Sequence, residues 1–389
     1  MIYIFTMSSI DHIKKRKNHS NPNISFIIPC YNDGDSIAKT VESIHQCYDK
    51  NNFQLIIIND KSKDDSKEQI QNLQSKYDFL FIDHEHNTGK SIALNNAVKK
   101  AIHEIIIFID ADTLLNKRAL DDLLKRLEHE KNVVAVTCPY KPLNKWFLPK
   151  MQQLEYNVAR FTSGSYNYRG SVLTLRGGCI GIYKKHFEEA GSFSINAISE
   201  DMDLALKLIA RWYRAQQSLY TVETIVPDTI KSRYKQKIRR SSGGMQCLIT
   251  HFKVWIKNPI FVIFTTTFQV SLIMGTFYLI KNSISFWNFI NFCITLFHIT
   301  TFTNGMNILQ LLYGDNTVAN TTKSLGFSML SLPYTIPLIS KVSDIRKLLY
   351  IIPYSIIYIP LHSIVWLTGT TIGIKKYLDL KNKPNKQAR

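Results

Sequence analysis

Four short apolar runs recur along the first 110 residues, and each ends in polar side chains. The runs cover 24–28, 53–58, 79–82 and 105–109 and are rich in β-branched and aromatic residues. Continuous apolar runs of this length are typical of strands buried on both faces of a parallel sheet. The pattern therefore predicts four buried strands in a mostly parallel sheet.

Helical spacing appears in the segments between these runs. Behind Ser36, a predicted N-cap, and behind Gly89, apolar residues recur one helical turn apart. They are Ile37, Val41, Ile44 and Tyr48 in the first segment, and Ala93, Ala97 and Ala101 in a helix predicted over 91–101. Alternating strands and helices predict a doubly wound α/β domain, whose ligand crevice lies outside the carboxyl ends of the strands.

The sequence changes character beyond residue 258. Charged residues are absent from three long segments, 259–280, 282–313 and 348–374, and from a shorter one, 324–340. About 20 apolar residues suffice to cross the hydrocarbon core of a bilayer. We therefore expect about four membrane spans, although the short segment is also compatible with an interfacial helix.

Basic residues flank this apolar region on both sides. The positive-inside rule then places both flanks in the cytosol and requires an even number of spans. The sequence predicts an N-terminal cytosolic extension, an α/β catalytic domain, a region of transmembrane and interfacial helices, and a basic cytosolic tail. Their boundaries are 1–23, 24–250, 251–374 and 375–389.

Net charge favours a membrane over nucleic acid as the anionic partner. The chain has 48 Lys and Arg against 30 Asp and Glu, a formal charge of +18. Most of the excess lies from residue 231 onward, beside the apolar segments, whereas a nucleic-acid binder usually spreads its basic residues over the folded domain. We expect membrane lipids, no nucleic acid, and a multi-pass protein of the cell membrane. Six scattered cysteines without a C-x-x-C pair indicate neither a zinc site nor a disulfide framework.

Carboxylates follow two of the predicted strands. Asp110 and Asp112 come directly after the fourth run, where hard oxygen ligands suit Mg²⁺ or Mn²⁺ bound to a diphosphate. The same pair would equally cap a following helix. Asp60 ends the second run, where it would contact a base or ribose, or serve as a turn or N-cap residue.

Three further segments carry candidate chemistry. Lys90 follows Gly89 at the start of a predicted helix, where it offers a positive charge to a phosphate or simply follows a turn. Glu200 and Asp201 begin another helical stretch, as a general base for an acceptor hydroxyl or as favourable acids in a first turn. On charge alone, the basic segment 236–244 is a solvated flank of the membrane region.

In this order and spacing, the motifs resemble glycosyltransferase family 2. The resemblance narrows to its membrane-integrated processive synthases, which make poly-N-acetylglucosamine, chitin, hyaluronan and cellulose. It covers about residues 24–250 and rests on the combination of motifs, since each is weak alone. The motifs are Phe26 to Asn32 (FIIPCYN), Ile58 to Asp60, Asn87 to Lys90 with Ala93 to Asn95, Asp110 to Asp112, Gly177 and Gly178, Glu200 and Asp201, and Gln236, Arg239, Gly243 and Gly244.

The resemblance implies a GT-A-type nucleotide-sugar-binding fold and a role for each matching residue. Asp201 would be the catalytic base, and Asp112 would coordinate a divalent ion, Mg²⁺ or Mn²⁺. Asp60 and Asp110 would contact the nucleoside of a UDP-sugar, with Lys90 nearby. Gln236 and Arg239 would cover the diphosphate and the acceptor end. The remaining substrate-binding candidates are Pro29, Tyr31, Glu200 and Arg240.

One position departs from the family motif Gln-x-x-Arg-Trp. Arg240 stands where the tryptophan that stacks under the acceptor sugar is expected. The resemblance implies an inverting, metal-dependent transferase that forms β-linked cell-surface polysaccharide, with N-acetylglucosamine as the favoured sugar and an accessory membrane subunit as a further partner. Two alternatives stay open: transfer of a single sugar to a polyprenyl phosphate or glycolipid, and a non-catalytic membrane partner in an export complex.

Overall fold

A computed structural model describes residues 17–257, 262 and 359–382 of the chain. Within these residues, the strands are β1 (Ile24–Cys30), β2 (Phe53–Asn59), β3 (Leu80–Asp83), β4 (Ile105–Ile109), β5 (Thr113–Leu114), β6 (Val133–Thr137), β7 (Tyr140–Pro142), β8 (Cys179–Tyr183), β9 (Arg214–Gln217) and β10 (Val222–Thr224). The helices are α1 (Gly34–Cys47), α2 (Ser66–Leu73), α3 (Lys90–Val98), α4 (Lys117–His129), α5 (Phe147–Arg169), α6 (Lys184–Glu189), α7 (Glu200–Ala210), α8 (Ile230–Thr250), α9 (Phe252–Ile256) and α10 (Ile359–Asn382).

In the part of the chain that the structure describes, the strands form two sheets. The larger has the order β3-β2-β1-β4-β8-β6-β9, and the smaller has the order β5-β10-β7. Strand β1 runs parallel to both β2 and β4, so the strand order reverses between β1 and β4. A reversal of this kind opens a crevice at the carboxyl ends of the two strands. The predicted doubly wound α/β domain is therefore confirmed.

The four predicted strands are all present, but one differs in burial. The residues of β4 are all buried, as are those of β1 except Pro29. Strand β3 lies at the edge of the sheet, and both Leu80 and Asp83 are exposed. The prediction that all four runs are buried was wrong for β3, because an edge strand has a neighbour on one side only.

Two helix boundaries also differ from the prediction. Helix α1 begins after Asp33, so Ser36 lies in its first turn and is not the N-cap. Helix α3 ends at Val98, before the predicted end at residue 101, and Ala101 packs in the core from the following turn. The apolar spacing located both helices, but it did not fix their ends.

Most of the predicted membrane region lies outside the described residues. This applies to the segments 259–280 (except residue 262), 282–313 and 324–340, and to residues 348–358 of the segment 348–374. No helix among the described residues combines the length and the apolar character that crossing a membrane requires. The described residues up to Lys257 form one compact unit with the described residues from Thr368 onward. Helix α10 runs across the predicted tail boundary at 374/375, and its Gly373 packs directly against Ser242 of α8.

Candidate functional site

The carboxyl ends of β1, β2 and β4 bring the predicted polar residues to one edge of the large sheet. Asp33 follows β1, Asp60 follows β2, and Asp110 and Asp112 follow β4. Asp33 lies close enough to Asp110 and Asp112 for their charges to interact. The sequence pattern and the strand order thus place these carboxylates together, as expected for parallel strands.

Asp60 holds the loop that precedes α3. Its Oδ1 accepts hydrogen bonds from the Thr88 backbone N–H and hydroxyl, both at 2.8 Å, and its Oδ2 accepts one from the Gly89 N–H at 2.7 Å. The His84 Nδ1 lies 2.9 Å from Oδ1. Burial raises the pKa of Asp60, but these hydrogen bonds outweigh burial and leave the pKa below its ordinary value. Asp60 therefore fixes the start of α3 in addition to its predicted contact with the nucleoside.

Lys90, the first residue of α3, crosses the crevice. Gly89 supplies a positive φ of 87° that turns the chain into the helix. The Lys90 Nζ lies 2.5 Å from Asp110 Oδ1 and 3.9 Å from Glu200 Oε1. Burial lowers the pKa of Lys90, but the charges of Asp110 and Glu200 outweigh burial and raise it above its ordinary value. The ammonium thus links the strand ends to the start of α7.

The Asp110 and Asp112 carboxylates are suited to share a divalent cation. Burial and the charges of Asp110 and Asp33 raise the pKa of Asp112 to about 6. Asn116, not Asp112, caps the following helix α4, so the capping alternative is not what the structure shows. Among the described residues, no group of three His, Cys, Asp or Glu side chains forms a ready ligand set. Mg²⁺ is commonly held by one or two carboxylates together with substrate phosphates, and this donor set fits that arrangement.

Glu200 and Asp201 occupy the first turn of α7. Asp201 Oδ1 accepts hydrogen bonds from the Ser199 hydroxyl at 2.7 Å and from the Met202 N–H at 2.8 Å. Its Oδ2 points toward Gly177, where an added Cβ would lie 3.9 Å from Oδ2 and 3.5 Å from the Lys90 Nζ. The missing side chain of Gly177 leaves room beside both groups.

Tyr140 is a site residue that the sequence did not reveal. Its hydroxyl accepts a hydrogen bond of 2.7 Å from the Gly178 N–H, and the Gly178 carbonyl accepts one from the Asp110 N–H at 3.3 Å. A Cβ on Gly178 would lie 2.6 Å from the Tyr140 ring. Burial, together with the charges of Asp110 and Asp201, raises the pKa of Tyr140 well above its ordinary value. The only sequence signal was the Gly177-Gly178 pair, which permits this close approach.

Helix α8 brings the basic segment into the site. Gly243 contacts Ser199, and a Cβ there would lie 2.8 Å from the Ser199 Cβ. Gln246 Oε1 accepts a hydrogen bond from the Ile198 N–H at 2.9 Å, and Cys247 Sγ donates to the Ser199 carbonyl. The interpretation of this segment as a solvated flank was therefore incomplete, because one face of α8 holds the loop that positions Asp201.

The remaining predicted residues occupy different depths of the site. Arg239 is exposed, and its charge acts on Glu200. Gln236 Oε1 accepts a hydrogen bond of 2.6 Å from Arg233, and Arg240 is exposed on the same helix.

Pro29 and Tyr31 lie at the end of β1. Pro29 is paired with Ile58 in the sheet register. Tyr31 is 43% exposed, and its backbone N–H donates to the Asp33 carboxylate. Tyr31 thus lies at the open side of the crevice, whereas Pro29 is part of the sheet.

Comparison with known proteins shows what this chain is similar to. The family model described as Glycosyl transferase family 2 matches residues 25–191. A poly-β-1,6-N-acetyl-D-glucosamine synthase of Staphylococcus aureus is 29% identical over 276 residues, which cover 69% of this chain and 66% of that protein. The synthase of the same name from Staphylococcus epidermidis is 27% identical over 309 residues, covering 76% of this chain and 75% of that protein. The matched region thus spans just under two thirds of the length of the S. aureus relative.

A solved structure shares the fold. It is a mannosyltransferase from Pyrobaculum calidifontis in complex with GDP-mannose and Mn²⁺. The match has a TM-score of 0.55 at 17% identity and covers 86% of this chain and 93% of the other. At this identity the likeness concerns the fold alone.

Proposed function

We propose that this chain is a glycosyltransferase of family 2 that transfers N-acetylglucosamine from UDP-N-acetylglucosamine to a growing β-linked polysaccharide. The names of the staphylococcal relatives support the sugar and the polymer. The match to them is partial, so the activity and the substrate are proposals. The acceptor is a carbohydrate chain in this proposal.

The observation that carries the proposal is the space beside Gly177. The Asp201 carboxylate lies on one side of this space and the Lys90 ammonium on another. A donor and an acceptor that meet at Gly177 would have both a base and a cation close by. Such an arrangement suits a single in-line displacement.

In the proposed reaction, Asp201 Oδ2 accepts the proton of an acceptor hydroxyl. The hydroxyl oxygen forms a bond to the anomeric carbon, while the bond from that carbon to the β-phosphate oxygen breaks and UDP leaves. One displacement converts an α-linked donor into a β-linked product. The Ser199 and Met202 hydrogen bonds to Oδ1 orient the carboxylate for this step.

The residues at the strand ends would bind the donor. Asp60 orders the loop up to Gly89 and thereby positions Lys90 for the diphosphate. Asp110 and Asp112 would hold a divalent cation, which would act as a Lewis acid on the departing diphosphate. Glu200 forms an ion pair with Lys90. The guanidinium of Arg239 would cover the diphosphate together with Gln236, which lies on the same helix.

We also propose a position at the cytosolic face of the cell membrane. The support comes from the long uncharged segments beyond residue 258 and the basic residues on either side of them. The cytosol is where a soluble nucleotide-sugar donor would reach the crevice. Membrane lipids would then surround the C-terminal region, with an accessory membrane subunit as a further partner.

A second candidate function is transfer of one sugar to a lipid-linked acceptor. The observation that favours it is Arg240, which stands where the family motif has tryptophan and is exposed on α8. A guanidinium offers hydrogen bonds to an anion but lacks the broad apolar face of an indole. The acceptor would then be recognised by charge.

Product analysis separates these candidates. Membranes that contain the protein are incubated with radiolabelled UDP-N-acetylglucosamine and Mg²⁺ or Mn²⁺, and the products are sized and digested with linkage-specific glycosidases. A β-linked polymer supports the synthase, whereas a single sugar on a lipid supports the second candidate. Release of no UDP from any common UDP-sugar would contradict both and support the non-catalytic partner.

A further inference from the structure

A second group of charged side chains adjoins the site where α5 and α8 meet. It contains Glu155 of α5, Arg233, Lys237 and Arg240 of α8, and Arg176 from the segment before β8. We call these five residues the α5–α8 basic cluster. The described residues of this cluster comprise four cationic side chains and one carboxylate.

The single carboxylate is already shared by two of the cations. Arg233 Nη2 lies 2.5 Å from Glu155 Oε2, and the Lys237 ammonium bonds the other oxygen, Oε1. Arg233 is 5% exposed, and the Lys237 side chain is 11% exposed. This half of the cluster is a buried ion triplet that ties α5 to α8.

The other two cations have neutral partners. Arg176 Nη2 lies 3.4 Å from the Ser163 hydroxyl and from Gln217 Oε1, and Arg240 hydrogen-bonds Tyr156. In the described residues, neither Arg176 nor Arg240 has a carboxylate within ion-pair distance. The charge of Glu155 acts on both guanidiniums, but neither forms an ion pair with it.

The effect of this excess charge is visible at Lys237. Burial and the charges of Arg233 and Arg240 lower the pKa of Lys237 to about 7, in spite of the bond to Glu155. Holding several cations close together is unfavourable unless an anion offsets their charge. The cluster thus has the electrostatic character of an anion-binding site without its anion.

Tyr140 connects the cluster to the reacting groups. The Arg176 guanidinium carbon lies 6.0 Å from the centre of the Tyr140 ring, and the Tyr156 ring packs edge-on against Tyr140 at 5.8 Å. The Tyr140 hydroxyl is bonded to the Gly178 N–H, next to the space beside Gly177. A ligand on the cluster would therefore lie one aromatic side chain away from Asp201.

We propose that the α5–α8 basic cluster binds a phosphate group carried by the acceptor, through Arg240 and Arg176. This inference rests on the proposed function, because it names a chemical property of that reaction's acceptor. The phosphate belongs either to a lipid-linked phosphate or to a phosphate-substituted glycan. Both present the same group to the cluster.

Charge and position select this ligand class. The cluster has an excess of two to three positive charges, depending on the proton of Lys237, which matches a phosphate better than a carboxylate. Arginine forks are suited to bidentate contact with phosphate oxygens. The proposed function assigns the donor diphosphate to Lys90, to a cation on Asp110 and Asp112, and to Arg239, so the cluster beyond Tyr140 is available to the acceptor.

The test uses the full chain in detergent with three acceptors: a short β-linked N-acetylglucosamine oligomer, the same oligomer with a terminal phosphate, and a short-chain polyprenyl phosphate. Binding of each acceptor is measured with UDP present, and kcat/KM is measured with UDP-N-acetylglucosamine. The variants are Arg240→Gln and, in case that chain fails to fold, Arg176→Gln. Lys235→Gln, an exposed cation on the same helix, is the matched control.

We expect one or both phosphate-bearing acceptors to bind at least about ten-fold more tightly than the neutral oligomer, as one charge-assisted hydrogen bond would give. Arg240→Gln and Arg176→Gln should each remove most of this preference, and Lys235→Gln should keep it. Which phosphate-bearing acceptor binds identifies the source of the phosphate.

Two results would overturn the inference. One is equal binding of neutral and phosphate-bearing acceptors by the wild type, which would leave the proposed function intact if UDP is still released. The other is a loss of UDP affinity in Arg240→Gln as large as the loss of acceptor preference, which would assign the cluster to the donor. Phosphate-dependent binding without any transfer would instead support the anion site and contradict the proposed function.

Discussion

The Lys90 ammonium lies 2.5 Å from the Asp110 carboxylate, across the crevice between α3 and the end of β4. The same ammonium lies 3.9 Å from Glu200 at the start of α7. One cation thus connects the side of the site that would bind the donor with the side that carries the base. This places Lys90 between the two halves of the proposed reaction.

Replacing Lys90 by methionine should weaken binding of UDP and lower transfer. The change removes one charge-assisted hydrogen bond and leaves Asp110 and Glu200 facing each other without a cation, so we expect about a 10- to 100-fold loss in kcat/KM. Calorimetric titration with UDP measures the binding part. Lys99→Met, an exposed lysine just after the same helix, should behave like the wild type. Unchanged UDP affinity in Lys90→Met would contradict the role of Lys90 in binding the donor.

Asp201→Asn should abolish transfer and preserve UDP binding. An amide cannot take the acceptor proton, and loss of a general base commonly costs about 10²- to 10⁴-fold in rate. The amide oxygen can still accept the Ser199 and Met202 hydrogen bonds, so the start of α7 should keep its conformation. A single-turnover rate of sugar transfer near the wild-type value would show that another group is the base.

The two adjacent glycines of α8 should respond differently to alanine. At Gly243 a Cβ would lie 2.8 Å from the Ser199 Cβ and 3.0 Å from the Ser199 nitrogen, whereas at Gly244 the nearest atom is the Met202 sulfur at 3.9 Å. Alanine in a helix is otherwise about 1 kcal/mol more favourable than glycine. Gly243→Ala should therefore displace the loop before Asp201 and lower kcat, and Gly244→Ala should keep activity and raise the unfolding temperature. Equal effects at both positions would show that α8 does not determine the conformation of the loop before Asp201.

Asp203 should make the stability of the catalytic unit depend on pH. Burial raises its pKa, but hydrogen bonds from His251, Ser194 and Lys207 outweigh burial and lower the pKa to about 2. The carboxylate is therefore stabilising above its ordinary pKa near 4, and this contribution of about 2 kcal/mol is lost as the pH falls toward 2. Thermal unfolding of the wild type and Asp203→Asn should differ most above pH 5 and converge in acid. Asp78→Asn, in an exposed loop, is the control, and a constant difference at all pH values would contradict the assignment.

The strand ends were predictable because the signal is local. An apolar run that stops at a carboxylate fixes both the strand and the side of the sheet where the carboxylate lies, which placed Asp60 and Asp110 correctly. The position of Lys90 at the start of a helix was likewise predicted from the preceding Gly89. These features depend on a few neighbouring residues and on the general rule for parallel sheets.

Tyr140 and the inner face of α8 were not predictable in the same way. Tyr140 belongs to a three-residue strand whose partner in the small sheet, β10, comes from a distant part of the chain, so no periodic pattern marks it. The charges of the 236–244 segment indicated solvent, but Gly243 and Gln246 on the other face of α8 pack on the loop before Asp201. Contacts between distant segments, and not local patterns, complete the site.

The central claim is that Asp201 drives transfer of N-acetylglucosamine from its UDP donor into a β-linked product. The most direct measurement compares wild type and Asp201→Asn in membranes supplied with radiolabelled UDP-N-acetylglucosamine and Mg²⁺ or Mn²⁺, following released UDP and labelled product together. The account predicts equal amounts of UDP and transferred sugar in the wild type, a β-linked product, and neither above background in the variant. Labelled product at the same rate in both proteins, or UDP release without any transferred sugar, would contradict it.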